Sequence, residues 1–165
     1  MRTAVLTVSD RVSRGEADDG SGDLLEELLR EDGHEVERRT VADERPLIAA
    51  AITELAHAAR LVLTTGGTGL APRDVTPEAV RPLLRREMDG FAAVFHGASW
   101  STIGVSTIQS RAFAGQIDDT FIFCLPGSTG ACRDGWDLVL ALELDSRYRP
   151  CSLAGQIPRL RDFCA

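Results

Sequence analysis

The 165-residue sequence contains no lysine: all 18 of its basic residues are arginine. That absence excludes a Schiff-base lysine and the phosphate-reaching lysine of a P-loop. Aromatic residues make up only 5%, so the core must be built mostly from Leu, Val, Ile and Ala. The four cysteines, Cys124, Cys132, Cys151 and Cys164, form no C-x-x-C pair, which argues against a zinc ribbon or a thioredoxin-type site. Cys124 lies in an apolar run and reads as core. No apolar run approaches the roughly 18 residues of a membrane helix, and the first residues lack the charged-then-apolar pattern of a signal segment. The expectation is a cytoplasmic protein with reduced thiols and no membrane association. Basic residues are also too few to balance the 25 acidic ones, leaving a net charge of -7. Nucleic acid is therefore not expected as a partner, since backbone-phosphate binding needs clustered positive charge. A small phosphorylated ligand held by backbone amides stays possible.

Hydrophobic residues reach 44%, enough for the packed core of one domain. Arg2 to Val8 reads as a strand, followed by a polar loop. Leu24, Leu25, Leu28 and Leu29 then share a helical face, and Gly33 is a plausible C-cap. Residues 34–42 alternate as a second strand. Leu47, Ile48, Ala51, Ile52 and Leu55 mark a second helix, and Leu61 to Thr65 a third strand. Thr76 is expected to cap a helix with Pro77 at its first position. Residues 91–101 look helical but irregular. Residues 120–127 form a late strand, and Ser128 opens a long helix. Alternating strands and helices predict a single doubly wound α/β domain over residues 1–145, its sheet mostly parallel with helices on both faces. The Arg-, Pro- and Gly-containing tail 146–165 is expected to pack on the domain or a neighbouring subunit.

In such sheets ligands bind beyond the carboxyl ends of the strands, where strand order switches. Four polar loops follow strands: Ser9-Asp10, Asp43, Thr65 to Asp74, and Pro126-Gly127-Ser128-Thr129. The third, "TGGTGLAPRD", carries Gly66, Gly67, Thr68 and Gly69. It has no Walker A pattern, and Pro72 stands at the third position of a dinucleotide fingerprint. Consecutive amides there suit an anion-binding nest. Asp43 and Asp10 read equally as helix caps or as ligands, and Asp74 as a turn cap or a metal or ligand group. Two carboxylates at one sheet edge would suit Mg²⁺. Ser128 and Thr129 cap a helix whose N-terminus also suits an anion. His34, His57 and His96 show no ligand spacing.

Together "VSDRVSRGEADDGSGDLLEELLREDGHEV", "TTGGTGLAPRDVTPEA", "REMDGF" and "LPGSTGACRDGWD" resemble the molybdenum cofactor biosynthesis proteins of the MoaB/MogA type, relatives of the plant and gephyrin G domains. The match runs through nearly the whole chain in order. "STIQSRAFAG" and "LDSRYRPCSL" look more like MoaB. The resemblance implies a molybdopterin-binding α/β fold, assembled as a homotrimer or homohexamer and working with other molybdenum cofactor biosynthesis proteins. It implies adenylylation of molybdopterin by Mg-ATP, with pyrophosphate released. On this basis Asp43 and Asp74 would be the catalytic aspartates and would hold Mg²⁺. Ser9, Asp10, Ser21, Gly22, Thr65, Gly66, Gly67, Thr68 and Gly69, with Pro126, Gly127, Ser128 and Thr129, would line the ligand site. One departure is Gly130, where MoaB-like sequences often carry a basic residue.

Three readings compete. A nicotinamide-dependent oxidoreductase is disfavoured by Pro72. A non-catalytic molybdopterin binder or assembly subunit is favoured by Gly130 and the tail. An adenylyltransferase is favoured by the retained Asp43 and Asp74.

Overall fold

Alternating side chains along the central strands set the architecture. In β1 (Arg2–Val8), Ala4, Leu6 and Val8 face one way and Val5 the other; in β3 (Leu61–Thr65), Val62 opposes Leu61 and Leu63 in the same manner. Each face must therefore be covered, and helices cover both. A computed structural model describes residues 1–157; Arg159, Leu160, Arg161 and Cys164 of the tail lie outside the described residues.

The chain then runs through α1 (Asp10–Ser13), α2 (Gly20–Glu31), β2 (Glu35–Val41) and α3 (Arg45–Ala58) before β3. After β3 come α4 (Thr76–Val80), the two-residue β4 (Arg86–Glu87), α5 (Asp89–Ile103) and a 3-10 turn (Gly104–Gln109). The remaining elements are β5 (Phe113–Ile117), β6 (Thr120–Leu125), α6 (Thr129–Gly135), a π-helical turn (Trp136–Leu140), α7 (Ala141–Leu144) and α8 (Leu153–Gln156).

The sheet order is β2-β1-β3-β6-β5-β4. The first four strands are parallel, and β5 and β4 join in antiparallel fashion. Leu25, Leu29, Phe91, Phe95, Trp136 and Leu140 pack on one face, from α2, α5 and the C-terminal helix. Ile48, Ile52, Leu55 and Val80 pack on the other, from α3 and α4. The doubly wound, mostly parallel sheet with helices on both faces is thus as expected.

Several details differ from the sequence reading. Helix α2 begins at Gly20, ahead of its first leucine, because Asp19 caps it by accepting the Gly22 N–H at 3.0 Å. Leu47 is 46% exposed, so the core face of α3 begins at Ile48. Thr76 does not cap α4; its hydroxyl donates to the Gly66 carbonyl at 2.9 Å, and Pro77 falls one position later. The long helix after Ser128 is interrupted by the π turn. The expected late strand is β6, but β5, which pairs with it as a hairpin, and β4 have no counterpart among the expected strands. In the tail, Leu153 and Ile157 pack against the chain's own core.

Register aligns the strand ends. Thr7 of β1 pairs with Thr65 of β3, which pairs with Leu125 of β6. Strand order reverses between β1 and β3, so the segments leaving β1, β3 and β6 meet at the sheet's carboxyl edge.

Candidate functional site

Those segments enclose a cleft of ≈ 840 Å³. Of the expected site residues, Ser9, Ser21, Asp43, Thr65, Gly66, Gly67, Thr68, Gly69, Asp74, Pro126, Gly127, Ser128 and Thr129 line it. Asp10 and Gly22 are not among the lining residues. Gly22 is buried behind the wall, in the space between Thr7, Asp19 and Arg38. Asp10 spends its carboxylate on Arg73, which grips it with two hydrogen bonds of 2.8 and 2.9 Å.

The glycine loop is bent by two residues in the left-handed region, Gly66 at φ 102° and Gly67 at φ 66°. A side chain at Gly66 would run into the Val8 carbonyl oxygen, so only glycine lets β3's exit press against the end of β1. Gly67 faces Thr76 Oγ1 and Asp43 Oδ1. The Asp74 carboxylate fills the space beside Gly69, and its Oδ2 accepts the Ala71 N–H at 2.9 Å. The loop therefore runs between two carboxylates, one from the β2–α3 junction and one from its own far end.

Asp43 does not cap α3, whose N-cap is Glu44. Its Oδ2 accepts the Asp10 N–H at 2.7 Å, and Asp10 Oδ1 accepts the Asp43 N–H at 3.1 Å. Asp43 Oδ1 has no hydrogen-bond partner among the described residues. Burial pushes the Asp43 carboxyl above the ordinary aspartate range, and the negative charges of Asp10 and Asp74 push the same way. The Arg73 hydrogen bonds hold Asp10 below that range. Beside the cleft, the Asp10 carboxylate is thus neutralised by arginine, whereas Asp43, in the cleft wall, is raised by burial and short of a cation.

On the opposite side, Thr65 donates to the Pro126 carbonyl and shares a hydrogen bond with Ser21, both at 3.0 Å. This ties the ends of β3 and β6 to the start of α2. Ser128 caps α6 by accepting the Ala131 N–H at 3.2 Å. Cys132 lies 3.4 Å from Thr65, and burial pushes its thiol up to about 11, which makes it no nucleophile.

The structure adds lining residues that sequence reasoning missed. Arg11 is the one arginine lining the cleft among the described residues, and no carboxylate there pairs with it. Phe95, Ser99, Ile103 and Thr107 form a far wall from α5 and the 3-10 turn. Arg11 follows Ser9-Asp10 directly, a cue within reach of the sequence; the far wall had none. Among the described residues no group of three or more His, Cys, Asp or Glu could hold a metal, and no helix is long and apolar enough to cross a membrane.

Residues 4–146 match the family described as "Probable molybdopterin binding domain". "Molybdenum cofactor biosynthesis protein B" of Escherichia coli K12 is 47% identical over 154 residues, covering 92% of this chain and 89% of that protein. A crystal structure titled molybdenum cofactor biosynthesis protein B superposes with TM-score 0.85 at 36% identity, over 98% of this chain and 96% of that one. The MoaB structure from Thermus thermophilus gives 0.77 at 39% identity, over 86% and 90% of the respective chains. The cleft at the switch point, the glycine loop with its flanking aspartates and these matches agree: the chain belongs to the molybdopterin-binding-domain family, as a molybdenum cofactor biosynthesis protein of the MoaB type.

Proposed function

We propose that the cleft binds molybdopterin and Mg-ATP and adenylylates the pterin. A terminal phosphate oxygen of molybdopterin attacks the α-phosphorus of ATP. The bond from that phosphorus to the bridging oxygen breaks, and pyrophosphate leaves. The observation that carries this reading is the pair Asp43 and Asp74, placed on either side of a loop that offers amides and hydroxyls to phosphate oxygens.

The carboxylates fit Mg²⁺, which typically takes one or two carboxylates and completes its shell with substrate phosphates and water. Asp43 Oδ1 is unpartnered and its carboxyl is raised by burial and like charge, the condition that a bound cation relieves. Asp43 and Asp74 would hold the ion, which screens the charge developing on the phosphates. The chain's own residues do the rest. Gly66 to Gly69 orient phosphate oxygens, Ser128 and Thr129 present a helix start to the second anion, and Arg11 adds a positive charge. On this reading the protein works in the cytoplasm as a homotrimer or homohexamer, alongside other proteins of the same biosynthesis.

Gly130 favours a second reading, a pterin binder without turnover. It leaves the exposed start of α6 without a basic side chain. Arg133 lies three residues on, exposed and on the same helical side, and supplies charge close by. Incubating the purified protein with molybdopterin and Mg-ATP, followed by mass spectrometry, separates the two readings. Adenylylated molybdopterin is expected from the native chain. The Asp74→Asn variant should form it about 10²- to 10³-fold more slowly. Pterin binding with no adenylylated product would establish the binder instead.

A further inference from the structure

We propose that Arg111 is a positioning residue for the candidate site: from behind the glycine loop it sets where the loop's amides and Asp74 stand. Arg111 is not among the residues lining the cleft, so it acts through the loop. For the reaction itself, this role rests on the adenylyltransferase reading. Arg111 lies between the 3-10 turn and β5, and its backbone N–H donates to the Thr68 carbonyl at 2.8 Å. Its Nε donates to the Gly69 carbonyl at 2.9 Å and its Nη2 to the Asp74 carbonyl at 2.7 Å. Its Nη1 pairs with the Glu78 carboxylate on α4. One residue thus ties both ends of segment 68–74 to α4 and to the start of β5. The guanidinium suits this task, because it is planar, always charged and points its donors in fixed directions.

Thr76 completes the arrangement. Its hydroxyl holds the Gly66 carbonyl at 2.9 Å, and its N–H holds the Gly67 carbonyl at 3.0 Å. Four successive carbonyls, from Gly66 to Gly69, are therefore engaged. In a trans peptide the N–H points opposite to the carbonyl before it. The N–H groups of Gly67, Thr68, Gly69 and Leu70 accordingly turn away from Thr76 and Arg111, and none has a hydrogen-bond partner among the described residues. Anchored carbonyls on one side leave free donors on the other, which is the form of an anion nest. Asp74 is placed by the same fork. Its Oδ2 accepts the Ala71 N–H and its own N–H donates to the Ala71 carbonyl, both at 2.9 Å, but that turn is local. The Arg111 bond to its carbonyl is what ties the turn to α4 and β5. A shift of about 1 Å in a group that orients a substrate can cost about 10²-fold in rate.

Arg111→Lys keeps the charge and the backbone bond to Thr68 but replaces the fork with a point charge. Hydrogen exchange followed by NMR should show the amides of Ala71, Asp74 and Thr76 exchanging at least about 10-fold faster, with those of α2 and α3 unchanged. Adenylylation should slow by about 10- to 100-fold. In the Asp74→Asn background the same substitution should add less than about threefold, because the group being positioned has already lost its charge. Glu78→Gln weakens the anchor and leaves the fork in place. It should move exchange and rate in the same direction by about threefold, and it decides the matter if Arg111→Lys does not fold. Native exchange at these three amides would overturn the role, as would fast exchange with a native rate. Equal slowing in both backgrounds would overturn it too, by separating Arg111 from Asp74. A lower melting temperature with a native rate would show that Arg111 serves packing alone. A native chain that yields no adenylylated product would remove the adenylyltransferase reading, and the exchange rates would still decide whether Arg111 holds the loop.

Discussion

Asp10 and Asp43 lie 33 residues apart, yet each carboxylate accepts the other's backbone N–H, at 2.7 and 3.1 Å. This exchange locks the segment after β1 to the segment after β2. It also fixes Asp43 beside Gly67 without using its second oxygen.

Asp43→Asn keeps an oxygen that can accept the Asp10 N–H but removes the charge. Its adenylylation rate is expected to fall by about 10²- to 10³-fold, as when one preorganised electrostatic group is lost. Its stability should follow pH in a defined sense. Folding raises the Asp43 pKa above 3.8, chiefly through burial. Between 3.8 and the raised value the folded chain keeps a proton that the unfolded chain has lost, so ionisation costs stability as pH rises through that interval. Asp43→Asn should therefore be at least as stable as the native chain at about pH 7, with its advantage shrinking toward about pH 4. Thermal unfolding at both pH values checks this. A variant clearly less stable at the higher pH would mean that the native carboxylate is stabilised in its charged form.

The two left-handed glycines should fail in different ways. At Gly66 the added Cβ meets the Val8 backbone, which cannot yield without parting the strand ends. Gly66→Ala is expected to lower the melting temperature by about 5 °C or more. At Gly67 the obstacle is the Thr76 side chain, with Asp43 next to it. Gly67→Val should fold with a smaller loss of stability, yet lose molybdopterin binding in calorimetry. Unchanged affinity would take the loop's backbone out of the ligand site.

Arg11 lines the cleft and pairs with no carboxylate among the described residues, whereas Arg73 and Arg111 pair with one each and Arg38 with three. A cation left free in a cleft also lined by Asp18, Asp19, Asp43 and Asp74 is placed to offset repulsion of an anionic substrate. Arg11→Ala is expected to raise KM for Mg-ATP or molybdopterin about 10-fold, with kcat changed less, and Arg11→Lys to recover part of the loss. Steady-state kinetics on the three proteins decides it. A KM within about twofold of native for both substrates would leave Arg11 as a solvated surface residue.

The parallel half of the sheet was legible because β1, β3 and β6 are mostly apolar runs, β2 alternates, and the loops after them are polar. That pattern alone brings Asp43, Asp74 and the glycine loop to one edge. The β5–β6 hairpin was not legible. Gly115 and Gln116 interrupt β5, and the turn is Asp118-Asp119 in place of a glycine-containing pair, with Asp118 at φ 48°. Leu47 fits the helical period of α3, but the period does not say where the sheet's cover ends. The hold of Arg111 on Gly69 and Asp74 joins residues 42 and 37 apart in sequence, so no local pattern could report it.

Assembly is the last expectation, and the described residues offer a second surface for it besides the tail. The sequence pointed to the tail, through Arg147, Arg149, Arg159 and Arg161 interleaved with Tyr148, Leu153, Ile157 and Leu160, of which Arg159, Leu160 and Arg161 lie outside the described residues. Arg147 instead grips Asp145 of its own chain, and Leu153 is held to Glu143 by a 3.0 Å hydrogen bond from its backbone N–H. The uncovered apolar surface lies elsewhere. Val94, Trp100, Ile103, Val105 and Ile108, on α5 and the turn after it, are all more than half exposed. Large exposed apolar groups gathered on one segment mark a protein contact. We predict a trimer or a dimer of trimers joined through this segment. Light scattering coupled to size exclusion should give that mass for the native chain and a lower one for Trp100→Glu. A chain ending at Asp145 should lose stability first, since it uncovers the core beneath Leu153 and Ile157. A native monomer at micromolar concentration would sink the assembly. An unchanged mass for Trp100→Glu would keep the assembly and clear α5 of it.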